Sequence, residues 1–104
     1  MGITVSHGSN QWGEERRSAL SIANLGKHLA HVLTSRDWDV VAGLFDGTFR
    51  DEEHVPPAEA RKIAAVLYRA ADHRLMPSDW GSDARLFADA AARAAAAGQS
   101  WHWS

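Results

Sequence analysis

Apolar residues recur every three or four positions along most of this chain, which is the spacing of one face of an α-helix. The pattern predicts four helices, with glycines after the second and fourth and prolines at the start of the third. They cover about residues 14–33 or 18–33, 37–45, 57–73 and 78–97. Gly26 lies inside the first helix, where a glycine is costly, so we expect another segment to cross closely there.

One sequence pattern occurs twice. The pattern H-x-L-x-x-x-D-W-x-x-x-A-x-L-F begins at His31 and again at His73, with no gap in either copy. Each copy is typical of a helix, a tight turn and a second helix. The sequence therefore predicts a duplicated helical hairpin, with repeats over about residues 18–46 and 60–88.

The turn in each repeat contains candidates for the N-cap of the following helix. Asp37 and Asp79 are suitable because a short acidic side chain can accept hydrogen bonds from the free N–H groups of the first turn. The neighbouring Ser35 and Ser78 are the alternative caps.

The two ends of the chain have the alternating pattern of β-strands. Residues 3–5 alternate apolar and polar side chains, and Trp101 and Trp103 lie on one side of an extended C-terminal tail. We expect this tail to pair with residues 2–6, and a short extended piece within residues 48–55. The predicted fold is mainly α, a small α+β protein in which four helices accompany a small sheet from the N- and C-terminal segments.

Composition limits the classes of function. The chain has 104 residues, enough for one domain with a modest core, and we expect a single domain over residues 1–104. Without cysteine it has no disulfide, thiolate nucleophile or cysteine zinc ligand. A formal net charge of −2 gives no basic surface for nucleic acid. No apolar run approaches membrane-spanning length and no signal peptide is evident, so we expect a cytoplasmic protein without nucleic-acid or membrane partners.

Two histidines of the first predicted helix are candidate metal ligands. His28 and His31 are three residues apart, so their side chains share one helix face. The alternative is that His31, like His73, serves only as a hydrogen-bonding group near a helix end. Residues 51–54 supply carboxylates and a further histidine, but their spacing does not place them near the first helix. No established metal motif is present, and we expect no cofactor.

Tryptophan suggests a second kind of site. Trp12, Trp101 and Trp103, with His102 between the last two, could form an aromatic patch of the kind enriched at protein interfaces. The alternative, which the sequence favours, is that the C-terminal indoles cover the core.

These observations favour a binding role over a catalytic one. The leading hypothesis is a non-catalytic protein-interaction or regulatory module whose partner is a protein, either a second copy or another chain. A metal- or small-ligand-binding protein that uses the helix histidines is the second hypothesis. A small enzyme acting from the turn at His7 is the third, although no catalytic motif accompanies that residue.

Four segments resemble a known family of short actinobacterial proteins. They are Met1–Gly8, Asn24–Leu33, Leu75–Trp80 and Trp101–Trp103, and the similarity extends over essentially the whole chain. The family is a domain of unknown function, so the resemblance implies a bacterial or bacteriophage cytoplasmic context but assigns no activity and no catalytic residue.

Overall fold

The computed structural model of the chain describes residues 2–8, 15–49 and 52–104. In these ranges four helices pack against the apolar face of a four-stranded antiparallel sheet, which confirms the predicted fold class. The helices are α1 Ala19–Val32, α2 Ser35–Phe45, α3 Pro57–Ala71 and α4 Ser78–Ala96. The strands are β1 Gly2–His7, β2 Glu15–Ser18, β3 Glu53–Val55 and β4 Trp101–Trp103.

The sheet has the strand order β2-β1-β4-β3. Val5 lies opposite Trp103 across β1 and β4, so the predicted pairing of the two chain ends is confirmed. Val55 lies opposite Trp101 across β3 and β4, which adds the linker between the helical hairpins to the same sheet. Strand β2 was not predicted. It forms because residues 15–18 pair with β1 instead of extending α1 towards the N-terminus.

The core is centred on aromatic side chains beneath the sheet. Trp101 and Trp103 are both fully buried, so the C-terminal tail covers the core. These two residues therefore do not form an exposed aromatic patch. The ring of Trp103 lies 5.2 Å from that of Phe45 and 5.6 Å from that of Phe87, between ring centroids. Burial of such large rings is the main stabilising contribution that single side chains make to a domain of this size.

Gly26 is the point at which α1 meets the C-terminal end of α2. A Cβ atom built on Gly26 would lie 1.7 Å from the carbonyl oxygen of Phe45. No side chain fits in that space, so the predicted close crossing is confirmed. The crossing explains why a glycine occupies a helix interior despite its unfavourable helix propensity.

The predicted N-caps were wrong. Helix α2 begins at Ser35, and its cap is Thr34, whose hydroxyl accepts a hydrogen bond from the Asp37 N–H at 3.2 Å. Asp37 lies in the first turn, where its carboxylate pairs with Arg69 at 3.1 Å. Helix α4 begins at Ser78 after a proline and has no side-chain cap. Both helices therefore begin before the aspartate, α2 after the extended cap residue Thr34 and α4 directly after Pro77.

The two hairpins meet at equivalent positions of the repeated pattern. The rings of Phe45 and Phe87 pack edge to face, with centroids 5.7 Å apart. Other equivalent positions differ, since Leu44 is buried while Leu86 is exposed. The duplication itself stays a prediction. In the described part of the chain, no helix combines the length and apolar character needed to cross a membrane.

Candidate functional site

The histidines predicted as metal ligands do not gather a ligand set. His28 stacks on Trp80 with ring centroids 5.1 Å apart, and His31 is exposed on the surface of α1. Within residues 2–8, 15–49 and 52–104, the group of three possible metal ligands that lie together consists of Glu52, His54 and His102. The candidate site therefore lies on the sheet and not on α1.

Strand β3 directs His54 to the outer face of the sheet. Val55 is buried against the helices, and successive side chains of a strand point to opposite faces. His54 consequently points away from the core, and its side chain is 62% exposed. Helix α3 starts directly after β3, at Pro57, so the strand is only three residues long and forms the edge of the sheet.

Strand β4 places His102 on the same face. Its neighbours Trp101 and Trp103 both point into the core, so the residue between them points outward. His102 lies opposite Ser6 of β1 on one side and opposite His54 of β3 on the other. Its side chain is 29% exposed, less than that of His54, because β4 has a strand on each side.

The three side chains lie within contact distance. The imidazole rings of His54 and His102 stack with centroids 4.3 Å apart and an interplanar angle of 3°. Glu52 precedes β3, and its carboxylate oxygen Oε2 lies 3.2 Å from Nε2 of His102. The other oxygen, Oε1, lies 4.0 Å from Nε2 of His54. One atom from each of the three side chains can be chosen so that all lie within 4.8 Å of one another.

A family model described as a domain of unknown function (DUF7739) matches residues 8–104. The chain belongs to this family. The match confirms the resemblance to an uncharacterised domain family found in the sequence. Neither a curated protein nor a solved structure matches the chain. The chemistry of the DUF7739 domain therefore has to be inferred from its own residues.

The cluster in the DUF7739 domain has the donor types of a transition-metal site. Imidazole nitrogen and carboxylate oxygen are both zinc ligands, and two histidines with one glutamate occur at zinc centres that keep a position open. Two ligand atoms on one tetrahedral zinc ion are about 3.3 Å apart, given zinc–ligand distances near 2.0–2.1 Å. The Glu52–His102 separation of 3.2 Å already fits this value.

His54 is the side chain that has to move for all three ligands to reach one ion. Its parallel stack on His102 directs the two rings alike instead of towards a common point. The His54 side chain is mostly exposed, so a rotation about its side-chain bonds meets little packing resistance. The exposed His54 side chain is therefore the part of the cluster that can adjust to a bound ion.

Most of this site was missed by sequence reasoning. The sequence predicted His102 as a binding residue, but as part of an aromatic patch. It indicated Glu52 and His54 as possible ligands without predicting which residues lie beside them. Trp12 lies outside the described residues. The alternation of inward and outward residues in Trp101–Trp103 could have placed His102 on the outer face, whereas β3 has only Val55 as an inward apolar residue and gives no comparable signal for His54.

Proposed function

We propose that the DUF7739 domain of this chain is a non-catalytic binding protein for one divalent transition-metal ion, with zinc as the representative ion. Glu52, His54 and His102 are its ligands. The observation that carries the proposal is the direct opposition of two outward-facing histidines across β3 and β4, with a carboxylate within reach of both. Metal binding was the second hypothesis from the sequence, and the proposal moves its ligands from α1 to the sheet.

The two nitrogen donors and one oxygen donor favour a divalent transition-metal ion over calcium or magnesium. Imidazole binds zinc, cobalt, nickel and copper ions well, while calcium and magnesium prefer sites made of oxygen alone. Three protein ligands leave at least one coordination position for water or another group. The exposed outer face of the sheet keeps that position accessible.

The charge of Glu52 also suits a bound cation. The carboxylate of Glu52 offsets part of the charge of the ion. Binding would add a link between the paired strands β3 and β4, and it would stabilise the folded state by an amount that rises with the logarithm of the ratio of free ion concentration to Kd.

Isothermal titration of chelator-treated protein with zinc chloride at neutral pH tests the proposal. We expect one ion per chain and at least about tenfold weaker binding after His54→Gln or His102→Gln, because each change removes one of three ligands. The matched control is the double variant His28→Gln/His31→Gln, which alters the histidines of α1 and should keep the wild-type affinity. Circular dichroism of each variant checks that the fold is retained.

Two results would contradict the proposal. Wild-type protein that takes up no zinc would exclude a metal site of useful affinity. Loss of binding in the α1 double variant, with binding kept after His54→Gln, would place the ligands on α1 as the sequence predicted.

A further inference from the structure

A groove lies on the other side of β3, between that strand and helices α2 and α3. Its floor is apolar and is formed by Val40 and Leu44 of α2, Val55 of β3 and Ile63 of α3. Its volume is about 250 Å³ and it is open to solvent. Pockets for drug-sized ligands usually measure about 300–1,000 Å³, so this groove suits one long side chain better than a whole cofactor.

Two carboxylates stand at the rim of this groove. Glu53 precedes Val55 by two residues on β3, and Glu59 lies in the first turn of α3. Across residues 2–8, 15–49 and 52–104, neither carboxylate has a hydrogen bond or ion pair, although several other acidic side chains pair with arginine. In the part of the chain that the structure describes, no basic residue lines the groove. An apolar floor with an acidic rim is complementary to a lysine or arginine side chain, which has an apolar methylene chain and a positively charged end.

The backbone beside the groove has a free edge. Among the described residues, β3 is the last strand of the sheet and pairs only with β4, so its other side presents backbone groups without a strand partner there. An extended segment can add to such an edge by backbone hydrogen bonds while a side chain enters an adjacent pocket.

From these three features we propose that the groove binds an arginine or lysine side chain of an extended segment of a partner protein. The methylene groups of that side chain would cover Val40, Leu44 and Ile63, and its charged head would reach Glu53 and Glu59. Long basic side chains bury their stems and keep their heads at the polar rim in this way. Arginine is favoured because its planar head can contact two carboxylates at once. This site does not depend on the metal proposal. It would serve the protein-interaction function that the sequence favours, through a surface that contains none of the tryptophans.

The test uses a blocked Val-Arg-Val peptide and the same peptide with neutral citrulline in place of arginine. Both are titrated into metal-free, ¹⁵N-labelled protein and followed by amide chemical shifts. We expect the arginine peptide to shift the amides of Gly43, Val55 and Ile63, and the citrulline peptide to bind at least about tenfold more weakly. Raising the salt concentration should weaken only the arginine peptide.

Three variants locate the site. Glu53→Gln and Glu59→Gln should each weaken the arginine peptide severalfold, and Gly43→Leu should abolish binding by filling the groove, where a Cβ meets nothing within 4 Å. Glu52→Gln, which removes a proposed metal ligand but leaves the groove unchanged, should bind the peptide like wild type. Failure of the metal proposal would leave these outcomes unaltered.

The proposal is overturned if no amide at the groove shifts at about 10 mM peptide, which would exclude even weak binding. Equal affinity for the arginine and citrulline peptides would also overturn it, because the carboxylates would then have no role. Unchanged binding in Glu53→Gln, Glu59→Gln and Gly43→Leu would show that the peptide binds elsewhere.

Discussion

Gly26 and Phe45 join the two helices of the first hairpin through a contact that leaves no room for a side chain. The space between the Gly26 Cα and the Phe45 carbonyl oxygen is too small for even one methyl group. This contact fixes the distance between α1 and the end of α2, and it holds Phe45 against the rings of Phe87 and Trp103.

Gly26→Ala should destabilise the protein by about 3 kcal/mol, the upper end of the usual cost of overpacking, because the added methyl meets a backbone atom that cannot rotate away. Gly43→Ala is the matched control. It also lies in a helix, but its Cβ would meet nothing within 4 Å, so we expect a gain of about 0.5–1 kcal/mol from better helix propensity. Urea unfolding followed by circular dichroism measures both. Equal stability of the two variants would show that the crossing is not as close as described.

Trp103→Ala should cost about 3–5 kcal/mol, because it removes a fully buried indole from the centre of the aromatic cluster. The control is Leu20→Ala at a position that is 70% exposed, where the change should be within about 0.5 kcal/mol. Thermal unfolding of both variants measures the difference. A Trp103→Ala protein as stable as wild type would place the C-terminal tail outside the core.

The single tyrosine of the chain reports on the packing of α3 against α4. The Tyr68 hydroxyl donates a hydrogen bond to Asp89, which raises the pKa of Tyr68, and desolvation by burial raises the same pKa further. A raised pKa in the folded state means that this stabilising contribution is complete below the pKa of an unfolded tyrosine. It is lost as the pH rises through the folded pKa.

Tyrosinate absorbance during an alkaline titration measures this effect. The folded protein should ionise at higher pH than the same protein in urea, and Asp89→Asn should move the folded pKa back towards the ordinary value because it removes the carboxylate charge. Identical titrations of wild type and Asp89→Asn would contradict the hydrogen bond.

Zinc binding should weaken as the pH falls from neutral towards 5. A proton and a metal ion compete for the same electron pair of an imidazole nitrogen, so a lower pH disfavours binding to histidine ligands. Excess zinc should also raise the unfolding temperature of the protein at neutral pH but not at pH 5. Differential scanning calorimetry with and without excess zinc compares the two conditions. A zinc effect that is independent of pH would argue against histidine ligands.

Local patterns were enough to predict most of the fold. The 3.6-residue periodicity gave four helices, and Gly47 and Gly98, both with positive φ, mark where the second and fourth end. The alternation around Trp101 and Trp103 gave a strand with two buried indoles. The predicted caps were wrong because each turn contains several residues that can precede a helix. The sequence did not distinguish Thr34 and Pro77, which precede the helices, from the aspartates that follow them.

The candidate site could not be predicted because it depends on strand register. His54 and His102 lie far apart in the chain, and β3 has only three residues, too few to indicate its partner or alignment. By contrast, the spacing of His28 and His31 predicted a shared site because residues three apart lie on one helix face. Proximity along a helix did not supply a third ligand, whereas pairing of two strands brought three donors together.

Anomalous diffraction from crystals of the zinc-loaded protein, recorded on both sides of the zinc absorption edge, tests the metal site most directly. We expect one anomalous peak on the outer face of the sheet, about 2.0–2.2 Å from a ring nitrogen of His54, a ring nitrogen of His102 and a carboxylate oxygen of Glu52. We also expect that the two imidazole rings no longer stack in parallel. A peak beside His28 and His31, or no ordered peak with the histidine stack unchanged, would contradict the proposed site.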